Sequence, residues 1–268
     1  MNPNFLFDRF GIFLSITFAF IGLMSFIYAP ATIRQKGHRL EYYLMLLLIV
    51  VAGIGVAITT NLLWIFIFWE ISTFAVWRAV VYYRRPDQIS SGNVVFITNI
   101  ISAGLMLIGI GMLYLDNNSF VISEIKQINI TALTFITIGI FAKSVILPIH
   151  FWLIPAYASI PSAIGGSLAG IAENLGLILF YRLFTNNINI PENYFTIVAW
   201  LAVISSLIAG GSAYRTNRLR YLLAYSTISQ IGFILLGFSV NNFFGSYGAI
   251  IYILAHALAK SGVFYGVG

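Results

Sequence analysis

At 268 residues, of which 60% are hydrophobic and only 8% charged, with a mean hydropathy of +0.93, the chain has too little polar surface to cover a water-soluble globule of its size. The net charge of +6 comes from 14 Lys and Arg against 8 Asp and Glu; most of the basic residues sit in a few connecting loops, which points to membrane topology and away from nucleic acid. Cysteine is absent, so disulfides, thiolate zinc sites and iron–sulfur clusters are excluded within the chain, and any redox chemistry belongs to a partner.

The opening MNPNFLFDRF has no basic segment followed by a short apolar core and a small-residue cleavage site, so the first apolar run reads as a retained helix. Spanning helices need ~20 mostly apolar residues. Runs of that kind cover residues 10–28, 42–58, 62–83, 94–114, 131–147, 162–184, 194–214, 221–240 and 243–268, which predicts nine spans in one all-α, polytopic bundle. Continuous apolar runs, without period-two alternation, exclude a barrel. The tight connection at 59–61 also permits one long kinked segment across spans two and three.

Cytoplasmic loops carry the excess of Lys and Arg. Arg34, Lys36 and Arg39 follow span one, Arg84 and Arg85 follow span three, and Arg215, Arg218 and Arg220 follow span seven; the loops after spans two, six and eight contain none. Nine spans place all three basic loops on one side, with the N-terminus outside and the C-terminus inside. The polar stretch 116–129 reads as an exoplasmic connection without chemistry of its own.

An ionisable side chain at the bilayer centre costs about 2.5–3.5 kcal/mol on insertion scales, so each one kept in a span is a functional candidate. Glu70 lies in NLLWIFIFWEIS, where the bland alternative is a structural ion pair or a protonated carboxyl. Lys143 ends a run that Pro148 interrupts, and snorkelling to the interface is its alternative. His150, Trp152, Pro155, Pro161 and the pair Gly165/Gly166 follow. Irregular backbone at membrane depth is tolerated where it is buried in protein or lines a wet cavity, so a broken helix with Lys143 and His150 near the break is a candidate site. Glu173 stands beside Asn174 after small residues that permit close helix packing, and an interhelical hydrogen bond is its alternative. His256 and Lys260, four residues apart, share one helical face; His titrates near neutrality and a lysine in apolar surroundings can release its proton, which suits a relay. Arg78 and Arg182 stand near span ends and read as interfacial. No phosphate loop, nucleophile elbow or metal-ligand cluster occurs.

Four segments together resemble the antiporter-like membrane subunits shared by respiratory complex I, multisubunit cation/proton antiporters and membrane-bound hydrogenases. NLLWIFIFWEIS resembles that family's helix with a Trp-Glu pair, here Trp69-Glu70. GIFAKSVILPIHFWLIPAYASIPSAIGGSLAG resembles its most diagnostic stretch, RLRYLLAYSTISQIGF its Ala-Tyr-Ser-Thr helix, and HALAKSGVFYGVG its His-Ala-x-x-Lys helix. The likeness runs from about Asn61 to the end, which divides the chain into N-terminal transmembrane helices at 1–60 and a proton-translocating core at 61–268.

By resemblance, Glu70 and Lys143 are the proton-handling ion pair, with Glu70 holding Lys143 charged while the two are close, and Lys260 is the central lysine that passes protons onward. Asn174 aligns where the family usually carries Lys or His, with Glu173 one position earlier. The Trp-Leu-Pro turn reads Trp152-Leu153-Ile154-Pro155, and Arg218 replaces the acid before the Ala-Tyr-Ser helix. Family members continue through a second, inverted repeat, so a fragment or a reduced subunit with one half-channel is expected. The resemblance implies a proton-translocating subunit of a redox-driven complex, without catalytic residues, cofactor or metal of its own. Its partners are other membrane subunits, peripheral redox subunits indirectly, and the lipid of a prokaryotic cell membrane, with no nucleic acid. A subunit of a sodium/proton antiporter and a non-conducting scaffold are the alternatives.

Overall fold

The computed structural model describes residues 4–33, 38–185 and 190–268. The chain is all-α, in the order α1 (Arg9–Thr32), α2 (Arg39–Ile58), α3 (Leu62–Val80), α4 (Pro86–Asn117), α5 (Ile130–Lys143), α6 (Leu153–Ser159), α7 (Ser162–Gly170), α8 (Leu175–Phe184), α9 (Glu192–Arg215), α10 (Leu219–Ser239) and α11 (Phe243–Val267). Among the described residues eight helices are long and apolar enough to cross a membrane, counting Ser162–Phe184 as one, and Ile130–Lys143 is a shorter apolar helix. Each of the nine predicted runs therefore contains a helix, and the chain is an integral, multi-pass membrane protein.

The element boundaries differ from the hydropathy reading in three instructive places. α4 begins at Pro86, eight residues before its apolar run, because proline is pre-organised for the first helical position and the Gln88 side chain accepts from the Arg85 backbone N–H at 3.5 Å. α5 ends at Lys143, four residues early, ahead of Pro148. The run 162–184 is interrupted by a 3-10 turn at Ala172–Asn174, which separates α7 from α8. α2 and α3 are two helices and not one kinked segment: Asn61 caps α3 by accepting from the Leu63 and Trp64 backbone N–H groups at 2.9 and 3.4 Å.

The interior is organised around α7, the 3-10 turn and α8, whose whole apolar window is buried. α1, α2, α5, α10 and α11 surround this column. α11 approaches α7 closely because the facing positions are glycines: a Cβ on Gly166 would lie 2.5 Å from the Tyr265 ring, and one on Gly170 would lie 2.5 Å from Ser261 Oγ. Outward-facing Ile12, Ile16, Phe20, Leu23 and Ile27 of α1 are large, apolar and exposed, as a helix presented to lipid requires.

The basic loops share one end of the bundle. Glu41, in the first turn of α2, pairs with Arg78 and lies 3.7 Å from Arg84; Gln88 donates to the Ser159 carbonyl at 2.9 Å, and Arg220 donates to the Ile160 carbonyl at 2.5 Å. Arg34 and Lys36 lie outside the described residues. At the opposite end, residue 5 bridges to 59 and residue 61 to 121, so the segment 116–129, with its 3-10 turn at Ile122–Glu124, is tied to the start of α3.

Candidate functional site

Two backbone breaks face each other inside the bundle. The first follows Lys143, where residues 144–152 leave the helix before α6 resumes. Val145 holds φ at 51°, a strained conformation for a β-branched residue, and the surrounding groups fix it. Trp152 Nε1 donates to the Ala142 carbonyl at 2.7 Å, and the Leu147 N–H donates to Ser205 Oγ at 3.3 Å. The second break is the 3-10 turn of Ala172–Asn174. Ser144 Oγ donates to the Glu173 carbonyl at 3.1 Å and joins the two breaks. That contact needs a glycine opposite: a Cβ on Gly176 would stand 2.3 Å from Ser144 Oγ.

Lys143 is buried at this junction, 3% exposed. Its ammonium donates to Thr73 Oγ1 at 2.9 Å and to the Trp69 carbonyl at 3.4 Å, and lies over the Trp69 ring at 5.5 Å from its centroid. Trp69 and Thr73 are one turn apart on α3, so the helix that carries Glu70 also cradles the lysine. Glu70 itself is half-buried, and its Oε1 has no hydrogen-bond partner. Ion pairs within 4.0 Å join Glu41 to His38, Arg78 and Arg84, and Asp8 to Arg182, whereas Lys143 is bonded to neutral groups and forms no such pair with Glu70.

Glu173 and Asn174 are both fully buried. Asn174 Nδ2 donates to the Gly170 carbonyl at 3.0 Å, while neither carboxylate oxygen of Glu173 has a hydrogen-bond partner. On the far side, α10 and α11 present matched pairs at helical spacing. Lys260 Nζ donates to Ser226 Oγ at 2.5 Å, and His256 Nδ1 meets Gln230 Oε1 at 2.8 Å, leaving Nε2 buried and without a partner. The amide oxygen accepts only from a protonated Nδ1, so in the neutral ring Nε2 is the open acceptor.

The charges of these residues act on one another in sequence across the interior. Lys143 feels both Glu70 and Glu173, Glu173 feels both Lys143 and Lys260, and Lys260 in turn acts on His256. The result is an alternating row, Glu70, Lys143, Glu173 and Lys260, continued by His256, through a low-dielectric core where such couplings are weakly screened. His150 does not join it: the ring is half-buried in the first break, its Nδ1 lacks a partner, and its neighbour is the Pro148 backbone.

Sequence reasoning missed the neutral partners Thr73, Ser144, Ser226 and Gln230. The one available signal was the spacing of Ser226 and Gln230, four residues apart like His256 and Lys260. Arg78 and Arg182 do stand at helix ends, yet both are paired within the protein. Arg182, its side chain 6% exposed, donates to Asp8 Oδ1 at 2.9 Å and to the Ala57 carbonyl at 2.5 Å, linking α8 to the start of α1 and the end of α2. No group of three or more potential metal ligands occurs among the described residues.

The family described as "NADH:quinone oxidoreductase/Mrp antiporter, TM" matches residues 59–268. The chain is similar to NADH-quinone oxidoreductase subunit N of Desulforudis audaxviator, 27% identical over 95% of this chain and 54% of that protein. It is equally similar to a Na(+)/H(+) antiporter subunit of Bacillus subtilis, 28% identical over 97% of this chain and 55% of that one. A chain of the Mrp complex from Dietzia sp. has the same fold, with a TM-score of 0.82 at 19% identity over 94% of this chain and 49% of its own. The chain thus spans about half the length of the curated relatives it matches.

Proposed function

The chain belongs to the transmembrane family of NADH:quinone oxidoreductases and Mrp antiporters, and on that premise we propose that it moves protons through the row Glu70, Lys143, Glu173, Lys260 and His256 as a membrane subunit of a redox-driven complex. The observation that carries this reading is the alternation of buried acid and base across the two facing backbone breaks. Charges of alternating sign keep each intermediate site of a moving proton next to a group that stabilises or accepts it, at positions where an isolated charge would be strongly disfavoured.

In the mechanism, Glu70 holds Lys143 charged when the two meet, and Lys143 turned to Thr73 is the arrangement in which its proton is free to pass to Glu173. From there it continues to Lys260, with His256 Nε2 as the next acceptor. His150 serves, in this proposal, as a proton carrier near the first break. The driving event is a conformational or electrostatic change in a neighbouring redox subunit. The row lies within 61–268, assigned here as the translocating core, and residues 1–60 supply the N-terminal helices. The basic end of the bundle faces the cytoplasm under the loop-charge rule, with the N-terminus outside. Proton uptake by membrane vesicles carrying the assembled complex is expected to drop sharply in Lys143→Ala and Glu70→Gln; undiminished pumping in both contradicts the assignment.

A second reading is favoured by one observation, the equal likeness to an antiporter subunit. In it the same row exchanges sodium for protons without a redox partner. Sodium-dependent proton flux in vesicles given no reductant selects that reading. Scaffolding alone predicts loss of assembly in every buried-charge variant, with no effect on flux in those that assemble.

A further inference from the structure

Tyr157, on α6, is fully buried, and its ring packs edge-on against Phe264 of α11 with centroids 4.7 Å apart. The ring is therefore fixed, while the phenolic O–H turns about its C–O bond. Two acceptors surround that hydroxyl. Thr227 Oγ1 of α10 lies 3.3 Å away and receives the bond in this structure. The other is the fully buried Glu173 carboxyl, near the same hydroxyl and with no hydrogen bond on either oxygen in this structure.

A buried carboxylate without donors is strongly disfavoured, and a hydrogen bond to a charged acceptor is about twice as strong as a neutral one. The hydroxyl's preference thus follows the charge on Glu173. It turns to Thr227 when the carboxyl carries its proton and to the carboxylate when it does not. We propose that Tyr157 is a positioning residue whose hydroxyl alternates between Thr227 and Glu173 and thereby transmits the charge of Glu173 to α10.

The consequence reaches the far half of the row, because α10 holds both groups there. Ser226, next to Thr227, accepts from Lys260, and Gln230 pairs with His256. Arg220, at the start of the same helix, grips the Tyr157 and Ile160 carbonyls at 3.1 and 2.5 Å and Ser162 Oγ at 3.0 Å. α6 and α10 are thus joined at Arg220, and the bond between Tyr157 and Thr227 is a second joint that opens and closes. This inference rests on the relay reading above and adds a residue to it that neither the spacing nor the charge pattern marks.

The test uses membrane vesicles carrying the assembled complex. Infrared difference spectra identify the Glu173 carboxyl band by its disappearance in Glu173→Gln. Tyr157→Phe removes the donor from Glu173, whereas Thr227→Val leaves the hydroxyl no acceptor except Glu173. The protonated carboxyl band is expected to move in Thr227→Val, where the hydroxyl is redirected to Glu173, and to stay in place in Tyr157→Phe, whose carboxylate band moves for want of its donor; proton flux is expected to fall several-fold in both at unchanged assembly. Both bands at their wild-type positions in the two variants, or a protonated band displaced in both, overturns the switch; Thr227→Val alone decides it should Tyr157→Phe not assemble. Loss of flux in Lys143→Ala alongside an unmoved band withdraws only the role of Tyr157, while undiminished flux in Lys143→Ala removes the relay on which it rests.

Discussion

Lys143 donates to Thr73 at 2.9 Å, three residues along α3 from Glu70, whose buried Oε1 is left without a partner. The lysine is held by the helix of its expected counter-charge but by a neutral group on that helix. A buried ammonium needs acceptors, and the Trp69 carbonyl and Thr73 hydroxyl supply them without fixing its charge in an ion pair.

Removing that neutral acceptor should therefore slow transport. Thr73→Val keeps the shape of the side chain but loses a hydrogen bond to a charged group, about 1.5–3 kcal/mol, which favours the Glu70-paired arrangement. Proton flux in vesicles is expected to fall roughly tenfold or more, since each 1.36 kcal/mol on a barrier is about tenfold in rate. Flux equal to wild type would mean that Thr73 does not set the position of Lys143.

Gln230 and His256 should behave as one unit. Gln230→Leu and His256→Leu each break the same 2.8 Å contact, so each is expected to reduce flux, and the double variant to be no worse than the weaker single one. Such non-additivity is the mark of groups acting through one interaction. Independent, multiplying losses would show that Gln230 affects transport by another route.

The clamp of Arg182 on Asp8 predicts an effect on stability and not on flux. Asp8→Asn leaves a buried guanidinium without its counter-charge, a loss on the order of 3–5 kcal/mol. Adding Arg182→Met to Asp8→Asn removes the stranded charge and is expected to restore most of that loss, as read from the denaturant midpoint in detergent. A double variant less stable than Asp8→Asn would contradict this.

Much of the fold was legible because lipid imposes a strong rule: each long apolar run must satisfy its own backbone, and all nine predicted runs contain a helix. The break at Lys143 was signalled by Pro148. The break at Glu173 was not, since IAENLG contains no proline and a 3-10 turn there depends on Ser144 and Gly176 across the interior. Among the site residues, Glu70, Lys143, Glu173, His256 and Lys260 stood out as charges in apolar helices. Thr73 and Ser226 did not, because a Ser or Thr hydroxyl in a helix is ordinarily satisfied by its own backbone, and Tyr157 did not, because it is one of 15 tyrosines in an aromatic-rich chain. Arg182 read as interfacial for a related reason: its partner Asp8 lies 174 residues away, and pairing over that distance leaves no local pattern.

Glu173 links the two lysines, and Glu173→Gln tests the row most directly, because it removes one charge while keeping the size of the side chain, with Lys143 and Lys260 both in place. Proton uptake by vesicles carrying the assembled complex is expected to be largely lost in this variant at normal assembly. Wild-type uptake with Gln at this position would contradict a continuous path through Glu173.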